Sequence, residues 1–334
     1  MIQAYARGVD YPRSVPPTDL ASVFGGHTWI GILLALLSGV VLSLGTQFQH
    51  RGVAVVDERE NAGAKEGFTL AHVKGMLKRP TWLIGTLLLG LAVVFQLISL
   101  WFAPLSVVQP LGAIALVITA IMNARLTHTR LTMRAITAII LCVGGIGLFV
   151  TVAAMFAHLR PVTSSELLTV LVALGLLIVV WGVLYLMLRK RPRPLFYIIG
   201  AGMLFGFLAT LAKVVIGRIQ TLIDSGWQFG TEEWLTIGCL VALVAATALG
   251  GWFVQNAHMY GPPDLVVAGL TVIDPIVAVS IGALVLGETA GAPGWATLVM
   301  LATGVVAVIG VFLLAKQNPE LVDAEHVPVP AAKA

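Results

Sequence analysis

The chain has 334 residues, 58% hydrophobic and 11% charged, with a mean hydropathy of +0.95. No water-soluble core of this size requires so much apolar sequence, so composition defines a polytopic membrane protein. The net charge of +4 is small and its basic residues lie mostly between apolar segments, which excludes a nucleic-acid surface.

Residues 1–27 are polar and irregular, with Pro12, Pro16 and Pro17, and read as an extracytoplasmic tail without a signal-peptide layout. Nine apolar segments follow, approximately 28–47, 80–102, 105–125, 132–156, 167–188, 195–216, 233–256, 263–286 and 295–315. Each reaches or approaches the roughly 20 residues a spanning helix needs. The connection 51–79, with its charged DERENAGAKEG core, reads as the only long loop, and 317–334 as a cytoplasmic tail rich in Pro and Ala. Cys142 and Cys239 lie inside apolar runs with no His or Cys at ligand spacing, so neither a disulfide framework nor a zinc site follows.

Of the 20 Lys and Arg residues, Arg7, Arg13, Arg160 and Arg218 fall on one side of nine spans, Lys213 falls inside a span, and all the rest fall on the other side. This asymmetry puts the N-terminus outside and the C-terminus in the cytoplasm of a plasma (inner) membrane.

The two halves read as related. Aligning Gln96 with Gln255 also lays Pro104 on Pro263, Val107-Val108 on Val266-Val267 and Gly145 on Gly304; a slightly different offset lays Gly39 on Gly206 and Arg51 on Arg218. The expected fold is therefore an all-α membrane protein of about nine helices. It has two four-helix repeats, about 28–157 and 194–316, joined by a connector helix, about 166–189. Five spans separate the starts of the repeats, so they are inverted, as in alternating-access transporters.

Asp274-Pro275 interrupts the eighth apolar run. A carboxylate at mid-membrane costs about 2.5–3.5 kcal/mol on insertion scales, and Pro275 withdraws the partner of a carbonyl near Thr271. The pair reads either as a transport site or as a kinked helix whose Asp is neutralised by a buried partner. Lys213, inside the sixth span, is the expected charge partner of Asp274, structural or switching. Gln96, Gln109, Gln255 and Asn256 are the expected polar lining, bonding either helix to helix or to substrate. Pro110 and Pro275 are expected to break the third and eighth helices. Gly202 and Gly206 form a GxxxG packing face, Asp264 is a candidate cap of the eighth helix, and Glu288 reads as a wet residue at the outer interface. Without a P-loop, GxSxG or HExxH motif, neither ATP-driven transport by this chain alone nor an enzyme is expected.

The stretch FAPLSVVQPLGAIALVITAIMNARLTHTRL, 102–131, resembles the FAPxxLVxPLGALSxLxSAxLxxxxLNERL signature of the NIPA-type magnesium transporters, a nine-span branch of the drug/metabolite transporter superfamily. Trp29-Ile30-Gly31, Arg51-Gly52, Lys213, Gly304 and the Val311 to Leu314 run fit the same pattern. The family's Asn-Glu-Arg-Leu becomes His128-Thr129-Arg130-Leu131, while Gly287-Glu288 keeps the acidic member in the second repeat; Val267-Ala268 replaces Thr-Pro, and Gln255-Asn256 is what remains of an Asn-rich seventh span.

The resemblance implies Mg²⁺ as substrate, with Asp274 its single metal ligand and no cofactor. A site in which Lys213 answers Asp274 suits a zwitterion, an amine or a lipid-like metabolite better than Mg²⁺, so an ion- or proton-coupled organic-solute exporter stands as the alternative. A non-transporting scaffold is the second alternative. The expected partners are the bilayer, the solute and a second copy in a homodimer.

Overall fold

The computed structural model describes residues 27–60, 80–126, 131–159, 162–188, 193–224, 226 and 233–316, and among them all regular structure is helical. The helices are α1 (Thr28–Glu60), α2 (Pro80–Phe102), α3 (Leu105–Leu111), α4 (Ile114–Leu126), α5 (Met133–Phe156), α6 (Ser164–Leu188), α7 (Pro194–Asp224), α8 (Glu233–Tyr260), α9 (Pro263–Leu284) and α10 (Gly294–Ala315). Counting α3 and α4 as one broken span, the described residues hold nine segments long and apolar enough to cross a membrane.

Two expected boundaries differ from the structure. Residues 51–60, expected as loop, continue α1 to Glu60; RGVAVVDERE holds no proline to end the helix. Likewise α7 runs on past 216 to Asp224. Hydropathy marks where lipid ends, and a helix is free to go further. The side chain of Asp264 lies outside the described residues; the N-cap of α9 is Pro262.

Small residues and buried hydroxyls set how the helices pair. In α1 and α2, Ser38 donates to the Ala92 carbonyl at 2.8 Å and Ser99 to that of Gly31 at 2.8 Å, a register that runs antiparallel. A Cβ on Gly85 would stand 2.5 Å from the Gln49 nitrogen and 2.9 Å from the Gly45 carbonyl, so the backbones touch where the two glycines face each other. Antiparallel α5 and α10 pair the same way: Gly145 sits on Ala307, and Gly310 on Cys142.

Other pairs are parallel, and they expose the internal relationship. In the first half Gly39 packs on Ala115 of α4, and Ser43 donates to the Ala115 carbonyl at 2.8 Å. In the second, Gly206 of α7 packs on α9, where a Cβ would meet Val277 at 2.6 Å and the Asp274 carbonyl at 3.0 Å. The alignment that lays Gly39 on Gly206 and Gln96 on Gln255 lays Ala115 on Asp274, so both halves cross at corresponding residues. The pairings repeat too: α1 packs on α2 and α4, as α7 packs on α8 and α9.

Candidate functional site

Asp274 occupies the crossing of α7 and α9. Gly202 and Gly206 admit the α9 backbone there, since a Cβ on Gly202 would stand 2.7 Å from the Ile273 side chain. The GxxxG reading of these two glycines matches this contact. One carboxylate oxygen of Asp274, Oδ1, is buried without a hydrogen-bond partner. Such an orphan is expensive inside a membrane.

The expected pairing of Lys213 with Asp274 is not made. Lys213 is 6% exposed, and its Nζ donates to the carbonyls of Leu100 at 2.5 Å and Ala103 at 3.0 Å. Gln220, two turns further along α7, donates to Trp101 at 3.0 Å. The reason is register: Asp274 meets α7 at Gly206, seven residues before Lys213, which is about 10 Å of helix rise. The ammonium instead satisfies carbonyls left orphaned where α2 ends.

Glu288, expected at a wet interface, is buried at 5% exposure. Its two oxygens accept from the backbone amides of Leu105 at 2.7 Å and Ser106 at 2.8 Å, the first donors of α3. Gly287, at φ 59°, turns the chain back in the left-handed region that favours glycine. The loop is fixed by Glu288 N–H donating to the Gly282 carbonyl at 2.9 Å and His158 N–H donating to the Glu288 carbonyl at 3.0 Å. The carboxylate leaves no room for a side chain at position 282, where a Cβ would lie 2.9 Å from Oε2. The one sequence signal for this role is the retained Gly-Glu pair of the family pattern.

The third span is broken as expected at Pro110. After Gln109 and Pro110 the helix tightens into three-residue bonds, Gly112 N–H to the Gln109 carbonyl at 3.1 Å and Ala113 N–H to that of Pro110 at 3.3 Å, before α4 begins. Pro275 does not break its helix: α9 runs through it from Pro263 to Leu284. A spanning helix tolerates a proline in its interior, and here the Thr271 hydroxyl bonds to the Val267 carbonyl at 2.8 Å, leaving the Thr271 carbonyl as the one that Pro275 does not serve.

Pro110 and Pro275 both line a cavity of about 410 Å³ walled by α3 and the turn after it, α5, α9 and α10. Asp274, Lys213 and Gln109 do not line it. Gln109 is buried on α3, Gln96 is half-buried on α2, and Gln255 is exposed on α8. Asn256 donates to the Trp252 carbonyl of its own helix at 2.7 Å. Gln255 and Asn256 project from a helix whose packed face is aromatic and aliphatic, Phe253 and Ala257 being its buried neighbours. Among the described residues, no three His, Cys, Asp or Glu side chains converge as a metal cage.

Nine segments long and apolar enough to cross a membrane among the described residues, together with the family match, define a membrane transporter. The chain belongs to the NIPA magnesium transporter family, whose model matches residues 27–320. It is also 25% identical over 291 residues to an uncharacterized protein of Corynebacterium glutamicum, covering 86% of this chain and 96% of that one. No solved structure matches.

Proposed function

We propose that this protein moves Mg²⁺ across the plasma membrane by alternating access between its two halves, with the N-terminus outside and the C-terminus in the cytoplasm. The observation that carries the reading is family membership over residues 27–320. Asp274 supports it, standing where the first half has Ala115 and holding an oxygen that no protein group satisfies. A single carboxylate suits an ion that keeps most of its water, as Mg²⁺ does. Asp274 then contacts the hydrated ion, and the Thr271 carbonyl, released by Pro275, adds an oxygen nearby. Lys213, held on α2, leaves the negative charge of Asp274 uncancelled.

The test is Mg²⁺ flux into proteoliposomes containing a fluorescent Mg²⁺ reporter, with wild type and Asp274→Asn. Wild type is expected to carry Mg²⁺, and Asp274→Asn to lose flux while melting like wild type. Flux that survives the substitution removes Asp274 from the path. Absence of Mg²⁺ flux in wild type, together with transport of an organic amine, establishes the organic-solute alternative instead.

A further inference from the structure

The cavity between the two prolines has a chemistry that does not match an ion path. Its wall side chains are apolar, Met300 among them, except for two hydroxyls, Thr271 and Ser280. Both bond to carbonyls of their own helix, Val267 at 2.8 Å and Ile276 at 2.7 Å, so neither offers an unused donor. Pro275 and Gly304 place the cavity near the middle of α9 and α10. Its rim is formed by Ile276, Leu301, Val305 and Ile309, which are exposed. The cavity is thus continuous with the surface that nine spans present to lipid. Its volume lies within the range of ordinary small-molecule sites, and an apolar space of this kind does not hold water.

We propose that this cavity between α9 and α10 is a binding site for one acyl chain of a membrane phospholipid. An empty recess forfeits dispersion contacts on every wall, and hydrocarbon chains are the only solvent at that depth. The bound chain touches Pro110 at the break of the third span and Pro275 on the eighth. It packs against both halves at once, and this holds whatever solute the protein carries.

The experiment uses the full chain in phosphatidylethanolamine and phosphatidylglycerol vesicles containing a phosphatidylethanolamine with a photoreactive diazirine midway along one acyl chain. Irradiation before extraction is expected to label both the rim residues and the comparably exposed Val172, Leu176 and Val179 of α6. When irradiation instead follows extraction and washing in detergent, label is expected only on α9 and α10. Two variants that fill the cavity from opposite walls, Gly304→Leu and Ser280→Phe, are expected to cut this label several-fold. Their α6 labelling before extraction shows that they are inserted. A Cβ at Gly304 meets only Phe149, at 3.7 Å, an ordinary contact. No label when irradiation follows washing, equal label on α6 at that stage, labelling unchanged by both variants, or α9–α10 crosslinks between two copies in place of lipid would each overturn the proposal.

Discussion

Glu288 and Lys213, both from the second half of the chain, hold the same junction of the first half from its two sides. The carboxylate takes the Leu105 and Ser106 amides that begin α3, and the ammonium takes the Leu100 and Ala103 carbonyls that end α2. Each charge meets backbone groups of the complementary polarity, so α2, α3, α7 and the α9–α10 loop are tied at one point. The void between the two charged groups, about 10 Å³, has room for no more than about one water.

Glu288→Gln keeps the shape but sets an amide NH₂ against one of the two N–H donors. Hydrogen bonds to a charged group contribute about 1.5–3 kcal/mol, and a loss of about 2 kcal/mol is expected, read as a lower melting temperature in detergent. Glu288→Ala is expected to lose more, since both amides are orphaned.

Lys213→Met leaves the Leu100 and Ala103 carbonyls without their donor and is expected to destabilise by about 1–3 kcal/mol. Combined with Asp274→Asn it gives a double-mutant cycle. Residues that do not touch add to within about 0.5 kcal/mol. Additive melting shifts are expected; a larger coupling would mean that the two charges pair.

Gly206→Ala forces a methyl to within 2.6 Å of Val277 Cβ at the α7–α9 crossing and is expected to cost about 1–3 kcal/mol by overpacking. Gly144→Ala, where a Cβ meets nothing within 4 Å, is expected to be neutral or to stabilise by up to about 1 kcal/mol through helix propensity. The pair, compared by thermal melting, separates packing from a general sensitivity of membrane helices to added methyls.

Gln255→Leu removes an amide that is exposed on α8, away from the α7–α9 crossing. Flux in proteoliposomes is expected to match wild type, in contrast to Asp274→Asn. A loss of flux comparable to that of Asp274→Asn would bring Gln255 back into the path.

The sequence by itself determined the nine spans, the break at Pro110 and the related halves, because each is written in local pattern. Apolar length sets a span, a proline withdraws a donor at a fixed position, and corresponding glycines recur at two closely similar offsets. It also singled out Asp274, since an acid amid apolar residues is legible wherever it falls. Tertiary structure alone decided which groups meet. Lys213 and Asp274 lie in spans that pack together, yet parallel register sets them two turns apart and leaves the lysine over the end of α2. Glu288 follows a helix as any loop residue does, and only the turn at Gly287, folding back on Gly282, carries it beneath α3. Gln96, Gln255 and Asn256 are polar at plausible depth, but the helix face each occupies is fixed by what its neighbours pack against, a long-range choice that composition does not encode.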